Sequence, residues 1–258
     1  MQQNEQMAYD RGSTIFSPDG RLYQVEYARE AVKRGSVTIG VKTDESVVLI
    51  AEKRVSSPLL VSESIEKIYD IDDHIAIAAS GHVADARQLV DFARVESRRN
   101  TYMYEEPLDT QTLAKAVGDH IQQYTQYGGT RPFGCALLIG GIHRGEPELI
   151  ESEPSGAIIG YKAVGIGEGR NEVEEILEEN YDPDMSTEEG LEIGLEALMT
   201  RDEEVSLEKV ETTVVDEEGV RELSDSELEN YAPDLEDDEE DEEAVDEESE
   251  ESEEDSDE

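Results

Sequence analysis

Few side chains in this 258-residue sequence are placed to do chemistry, and the first that are stand together near its start. Tyr9-Asp10-Arg11 sets a phenol, a carboxylate and a guanidinium side by side at the inner end of a polar segment, and Arg can clamp Asp through two parallel hydrogen bonds. The trio is either an anchor for the terminus or an incidental polar cluster. Pro18, Tyr23 and Tyr27 follow closely enough to form a collar that would hold the terminus above the first helix. Lys67, in Ser64-Ile65-Glu66-Lys67-Ile68, is a base on a surface that has few of them. There it would make a plain salt bridge or focus an incoming carboxylate.

Other constellations point to structure rather than chemistry. Gly165-Ile166-Gly167-Glu168-Gly169-Arg170 superficially resembles a dinucleotide turn, but Glu168 would face the phosphates, so it reads as a structural turn before a helix. His74, His82, His120 and His143 lack metal-ligand spacing, and the 67 acidic residues supply carboxylate pairs everywhere, so neither a metal site nor glycoside chemistry is indicated. Cys135 is single and sits in the apolar run Phe133 to Ile142, as a small core residue would. No cofactor is implied.

The formal charge is -46. From Asp234 onward there are 19 acids, no base and only Leu235, Ala244 and Val245 as apolar side chains, so residues 234–258 are expected to be a disordered acidic tail. The rest still sets 48 acids against 21 bases. At several molar salt the screening length falls to about 3 Å or less, which removes the self-repulsion such a surface suffers in dilute buffer. A halophilic cytoplasm therefore accounts for the charge. Nucleic acid is excluded as a partner for want of a basic stripe, and no 18-residue apolar stretch or export signal is present, so no membrane role is expected.

The elements that must position these residues can be read from periodicity. Residues 1–12 form a polar, mobile segment, and residues 13–233 form one domain with no linker, opening on a turn at Ser17-Pro18-Asp19-Gly20. Leu22, Val25, Ala28 and Val32 recur at helical spacing. Hairpins are expected from Val37–Val41 with Val47–Ala51 and from Lys67–Tyr69 with His74–Ala79. Helices follow at about 83–98, with Val83, Ala86, Val90 and Ala93 inward, and at about 110–127, ending at Gly128-Gly129. Strands are expected at 135–141, 148–152 and 160–166, helices at 171–180 and 187–200, and a last strand at 211–215. Grouped strands and grouped helices, rather than β-α alternation, predict an α+β four-layer α-β-β-α sandwich of two antiparallel sheets between helix layers, with an extra N-terminal helix.

Tyr9-Asp10-Arg11 together with the run Thr14-Ile15-Phe16-Ser17-Pro18-Asp19-Gly20-Arg21-Leu22-Tyr23-Gln24-Val25-Glu26-Tyr27-Ala28 resembles the N-terminal block of archaeal proteasome α-type subunits, with the acidity of the haloarchaeal ones. Ser64 to Ile68, Ser80-Gly81, Val83 to Arg87, Gln122 to Gly129 and Arg131-Pro132 extend the likeness over roughly residues 6–215. The resemblance implies an N-terminal-nucleophile hydrolase-like sandwich, cytoplasmic, and seven α-type copies in each outer ring of a barrel. The implied partners are β-type subunits, a regulatory AAA ATPase ring and unfolded protein substrates passing through the pore. It assigns Tyr9, Asp10, Arg11, Pro18 and Tyr27 to a gate, and Lys67, Gly35, Gly81 and His82 to a pocket for the ATPase's C-terminal carboxylate. His82 stands where archaeal members commonly have Leu. The β-type subunits cleave peptides with an N-terminal Thr whose own amine is the base. Here Ser36 and Thr38 are internal, although Glu52 and Lys67 follow at the spacing of the β-type acid and base, so no catalysis is expected of this chain. The alternatives are a hydrolase activated by removal of its first 35 or so residues and a general acidic interaction module.

Overall fold

The first hairpin, β1 (Thr38–Lys42) and β2 (Val47–Glu52), is buried at nearly every position, so its sheet must be covered on both faces. The structure, a computed structural model, describes residues 14–55, 57, 59–201 and 205–233. Tyr9, Asp10, Arg11 and the acidic segment from Asp234 onward lie outside the described residues, as do the segment boundaries expected there.

Around that hairpin the chain runs through α1 (Tyr23–Lys33), β3 (Ile68–Asp72), β4 (Ile75–Gly81), α2 (Val83–Tyr104), α3 (Thr110–Gln126), β5 (Cys135–His143) and β6 (Glu146–Ser152). It continues through β7 (Ile158–Gly160), β8 (Ala163–Ile166), α4 (Arg170–Asn180), α5 (Thr187–Arg201), β9 (Val210–Asp216), β10 (Gly219–Glu222) and α6 (Asp225–Leu228). Two antiparallel sheets result, ordered β10-β9-β2-β1-β8 and β3-β4-β5-β6-β7.

The layers follow from the two-residue period of the strands. Val47 and Leu49 of β2 pack between the sheets with Ala76, Ala78, Leu138 and Leu149. Val48 and Ile50 point the other way, onto Leu191, Leu195 and Leu198 of α5 and Val173 and Leu177 of α4. On the far side of the second sheet, Leu89, Val90 and Ala93 of α2 and Leu113, Val117 and Ile121 of α3 cover Ile75, Ile77, Leu137 and Ile139. This is the four-layer α-β-β-α sandwich, with α1 lying outside the layers against β4 and β5.

Several boundaries differ from the sequence reading. Helix α2 runs six residues further, to Tyr104. Val83, expected on its inward face, is 54% exposed as the first helical residue, just past the end of β4; Leu89 fills the core instead. The expected strand 160–166 is two strands in different sheets: Gly160 pairs with Ile150 of β6, whereas Ile166 pairs with Thr38 of β1. Strand β10 and helix α6 were missed. The first is a polar edge strand held by β9, and the second is one turn closed by a capping box between Ser224 and Glu227. No helix among the described residues is long and apolar enough to cross a membrane.

Candidate functional site

The chain reaches α1 through a reverse turn. The Gly20 N–H donates to the Ser17 carbonyl at 2.8 Å, and the Arg21 N–H donates to Ser17 Oγ at 3.1 Å. Gly20 has φ 77°, a conformation that favours glycine. Pro18 is exposed on this turn. Helix α1 then buries Val25, Ala28 and Val32 and leaves Tyr27 half exposed on its outer side.

At the end of α1 the backbone passes very close to the β4–α2 turn. A side chain at Gly35 would collide with the Gly81 nitrogen and with Ser80 Oγ, and one at Gly81, whose φ is 106°, would overlap the Gly134 carbonyl. A groove of about 630 Å³ opens there, lined by Tyr27, Glu30, Ala31, Arg34, Gly81 and His82.

Lys67 lies behind this junction and is not the surface lysine expected from composition: it is 7% exposed. Its ammonium donates to the Ser36 carbonyl at 2.9 Å, to Ser36 Oγ at 2.8 Å and to the Val37 carbonyl at 3.2 Å. The Ser80 hydroxyl donates to the same Ser36 carbonyl at 2.9 Å. The backbone on either side of the Lys67 carbonyl is held by Glu211, which accepts from the Lys67 and Ile68 N–H groups at 3.0 and 3.2 Å. Burial pushes the Glu211 carboxyl above its ordinary range, although those two N–H groups work against the shift. Thus the fold brings together Tyr27 and Gly35, Lys67, and Gly81 and His82, five of the expected site residues from three separate segments.

Two supports hold this junction, and the first was not singled out from the sequence. Asp85 is buried and accepts from both terminal nitrogens of Arg131 at 2.6 Å and from the Gly134 N–H at 2.8 Å. Burial alone would raise its carboxyl; the Arg131 and Gly134 hydrogen bonds outweigh that and hold it below the ordinary 3.8. This clamp fixes the segment on which Gly81 and His82 rest. Both partners lie in motifs that carried the resemblance, which was the available signal. The second support is the Gly165–Arg170 turn, structural as expected. Gly167 and Gly169 take φ 98° and 69°, the Glu168 N–H donates to the Gly35 carbonyl at 2.9 Å, and Arg170 grips Glu151.

Ser36 stands just before β1, between the sheets' ends. Its hydroxyl donates to the Glu52 carbonyl at 2.8 Å beside the Lys67 ammonium, while Thr38 Oγ1 is spent on the Ala79 carbonyl at 3.1 Å. The Ser36 nitrogen is a peptide nitrogen following Gly35, so the hydroxyl and lysine are assembled without the free α-amine that would serve as base. Elsewhere, His74 bonds the Leu108 carbonyl, His143 pairs with Asp109 and His120 stacks on Phe92. No group of three metal-ligating side chains is found among the described residues. Burial and then Asp85 push the Cys135 thiol up to about 12, as befits a core residue.

A four-layer sandwich with a hydroxyl and a buried lysine at the head of its first strand, and with a helix attached upstream, is the architecture of an N-terminal-nucleophile hydrolase-like protein. The sequence comparisons place it within that class. Residues 32–215 match the family described as proteasome subunit, and residues 9–31 match the A-type N-terminal signature of proteasome subunits. Similar proteins include the alpha 1 proteasome subunit of Haloferax volcanii, 57% identical over 89% of this chain and 92% of the relative. The alpha proteasome subunit of Natronomonas pharaonis is 54% identical over 89% and 91%, and that of Methanosphaerula palustris 50% identical over 92% and 99%. The chain belongs to the proteasome subunit family, α type.

Proposed function

We propose that this chain is a non-catalytic outer-ring subunit of the proteasome core, joining other α-type subunits in a seven-membered ring stacked on β-type subunits that carry the threonine-type peptidase. Its terminal segment, with Tyr9, Asp10 and Arg11, gates the axial pore above Pro18 and Tyr27, and its groove docks the C-terminal carboxylate of a regulatory ATPase. The observation that carries the reading is the intact connection from α1 through Gly35 to Ser36. It denies Ser36 a free amine and places a rigid helix where a terminus can be mounted. Docking is supported by Lys67, whose buried cation lies just beneath the Gly35–Gly81 junction. Unfolded substrates would pass the gate in the cytoplasm.

The test is coexpression with a β-type partner, comparing the full chain with a chain lacking residues 2–12. The deletion is expected to raise hydrolysis of an unfolded protein substrate without activator, with assembly unchanged by sedimentation. An unchanged rate in assembled particles would refute the gate. The Ser36–Lys67 contact favours a second reading, a hydrolase released by cleavage at Gly35–Ser36. Intact mass separates the two, since only the hydrolase loses its first 35 residues.

A further inference from the structure

Helix α1 is held to the sandwich by apolar contact along its inner face and by charge along one flank. Val25, Ala28 and Val32 are buried, and Arg29, four residues after Val25, stands at the edge of the same face. On that flank the packing is incomplete: a cleft of about 120 Å³ opens beside the helix, lined by Val32, Ala136, Pro154 and Ile166, with the Arg170–Glu151 pair on its lining too. Arg29 and Glu153 meet at this cleft. Nε and Nη2 of Arg29 both donate to Glu153 Oε2, at 3.2 and 2.8 Å, while Nη1 donates to Glu26 Oε1 at 3.2 Å. Glu153 is a fixed point, because it opens the β6–β7 turn: its N–H donates to the Ala157 carbonyl at 3.0 Å and its carbonyl accepts from the Gly156 N–H at 2.8 Å. Gly156, with φ 83°, lies so close to α3 that a side chain there would collide with Gln122 Cβ and the Gly118 carbonyl. The turn is therefore seated on α3, and through it Arg29 ties α1 to the α3 layer.

We propose that Arg29 and Glu153 are positioning residues for the gate: their ion pair fixes the orientation of α1, on which the terminal segment is mounted, and so favours the closed pore when no activator is present. The inference rests on the gate reading above. Helix α1 follows directly on the Ser17–Gly20 turn, so a tilt of α1 about its buried stripe moves that turn and the segment it carries. Three apolar side chains set how deep a helix sits but hold its tilt weakly, since hydrophobic contact is non-directional. A guanidinium donating twice to one carboxylate oxygen is directional. The cleft leaves room beside the helix, so loss of the pair lets α1 shift without disturbing the core. The Arg29 and Glu153 side chains are 42% and 23% exposed, so the pair has the modest strength of a half-wet ion pair. That is enough to bias an equilibrium between two arrangements and too little to decide the fold.

The experiment uses particles assembled with a β-type partner from the wild-type chain, Arg29→Gln, Glu153→Gln and the double substitution, each with and without residues 2–12, assembly being confirmed by sedimentation. Hydrolysis of an unfolded protein substrate without activator is normalised to the working peptidase sites, titrated with an irreversible peptide inhibitor. Each single substitution should raise the rate about two- to fivefold in the full chain. The double should raise it no further, because either change alone already removes the pair. In particles lacking residues 2–12 none of the substitutions should change the rate, a result that general loosening of the fold would not give. Should Arg29→Gln fail to assemble, Glu153→Gln carries the same test. Unchanged rates in the single variants, effects that add in the double, or an equal rise without residues 2–12 would each overturn the inference while leaving the gate intact. If deleting residues 2–12 does not itself raise the rate, the gate fails, and the role of Arg29 and Glu153 fails with it.

Discussion

Asp85 shows how a single residue can support a site it does not line. Its carboxylate is 5% exposed at the residue level, whereas the partner Arg131 side chain is 64% exposed, so the pair is anchored from the buried end. Asp85→Asn would leave the Gly134 contact but lose the bidentate charge pair, and about 1–2 kcal/mol of destabilisation is expected after discounting for solvent at Arg131. A carboxyl whose folded value is depressed contributes stability above its unfolded value, near 3.8 here, and loses it as pH falls through the lower folded value. The difference in thermal stability between wild type and Asp85→Asn should therefore be full at pH 7 and shrink below about pH 3.8. A difference that is constant down to pH 2 would mean the pair is not the cause.

Lys67 makes a second prediction at this scale. Lys67→Ala removes the cation beneath the groove, and an incoming carboxylate left without it would lose roughly 2–5 kcal/mol at each site. In the proposed ring the copies would act together, so the loss of avidity would be larger still. Pull-down of the ATPase partner by mutant rings in high salt should fail. Normal binding by intact mutant rings would remove Lys67 from the docking role.

Among the elements, the β4–α2 turn and the end of α1 are coupled by glycine. Gly81 combines φ 106° with a position where any side chain meets the Gly134 carbonyl, so Gly81→Ala is strained twice, by backbone conformation and by overlap. A loss of about 2 kcal/mol or more is expected in denaturant unfolding. Gly128→Ala is the matching control: nothing lies within 4 Å of the added methyl and its φ is not in the left-handed region, so a change within about 0.5 kcal/mol is expected. Equal effects of the two substitutions would show that the close approach at Gly81 is not what constrains the turn. Because the same turn sets the walls of the groove, Gly81→Ala should also weaken docking in any fraction that folds.

For the molecule as a whole the dominant quantity is charge. The 19 acids beyond Pro233 are expected to be dispensable for folding, assembly and gating, since the segment has almost no apolar surface to bury. Truncation after Pro233 should leave the sedimentation profile of assembled particles unchanged at molar salt, where charges are screened over a few ångströms. In dilute buffer the truncated particle should hold together at lower salt than the full chain, because it repels itself less. Loss of the ring at molar salt on truncation would instead mean that the tail makes specific contacts.

The sequence by itself determined what depends on local pattern. The helices with an apolar stripe, the hairpins of β-branched residues and the Gly165–Arg170 turn were legible because spacing along the chain dictates which face is buried. The Tyr9-Asp10-Arg11 block and the run to Ala28 carried the family through their order alone. Tertiary structure decided everything that depends on which partner a segment meets. Gly160 to Ile166 reads as one run, yet its two ends join different sheets, because strand pairing is a choice among distant edges. Val83 has the right spacing for the core but is the first residue of α2, just past the end of β4, and is exposed. Lys67 looks like a surface base in an acidic sequence, and its three carbonyl and hydroxyl partners come from Ser36 and Val37, some 30 residues away. A buried cation is tolerated only where the fold supplies oxygens to replace water, and no local pattern reports where those oxygens will be.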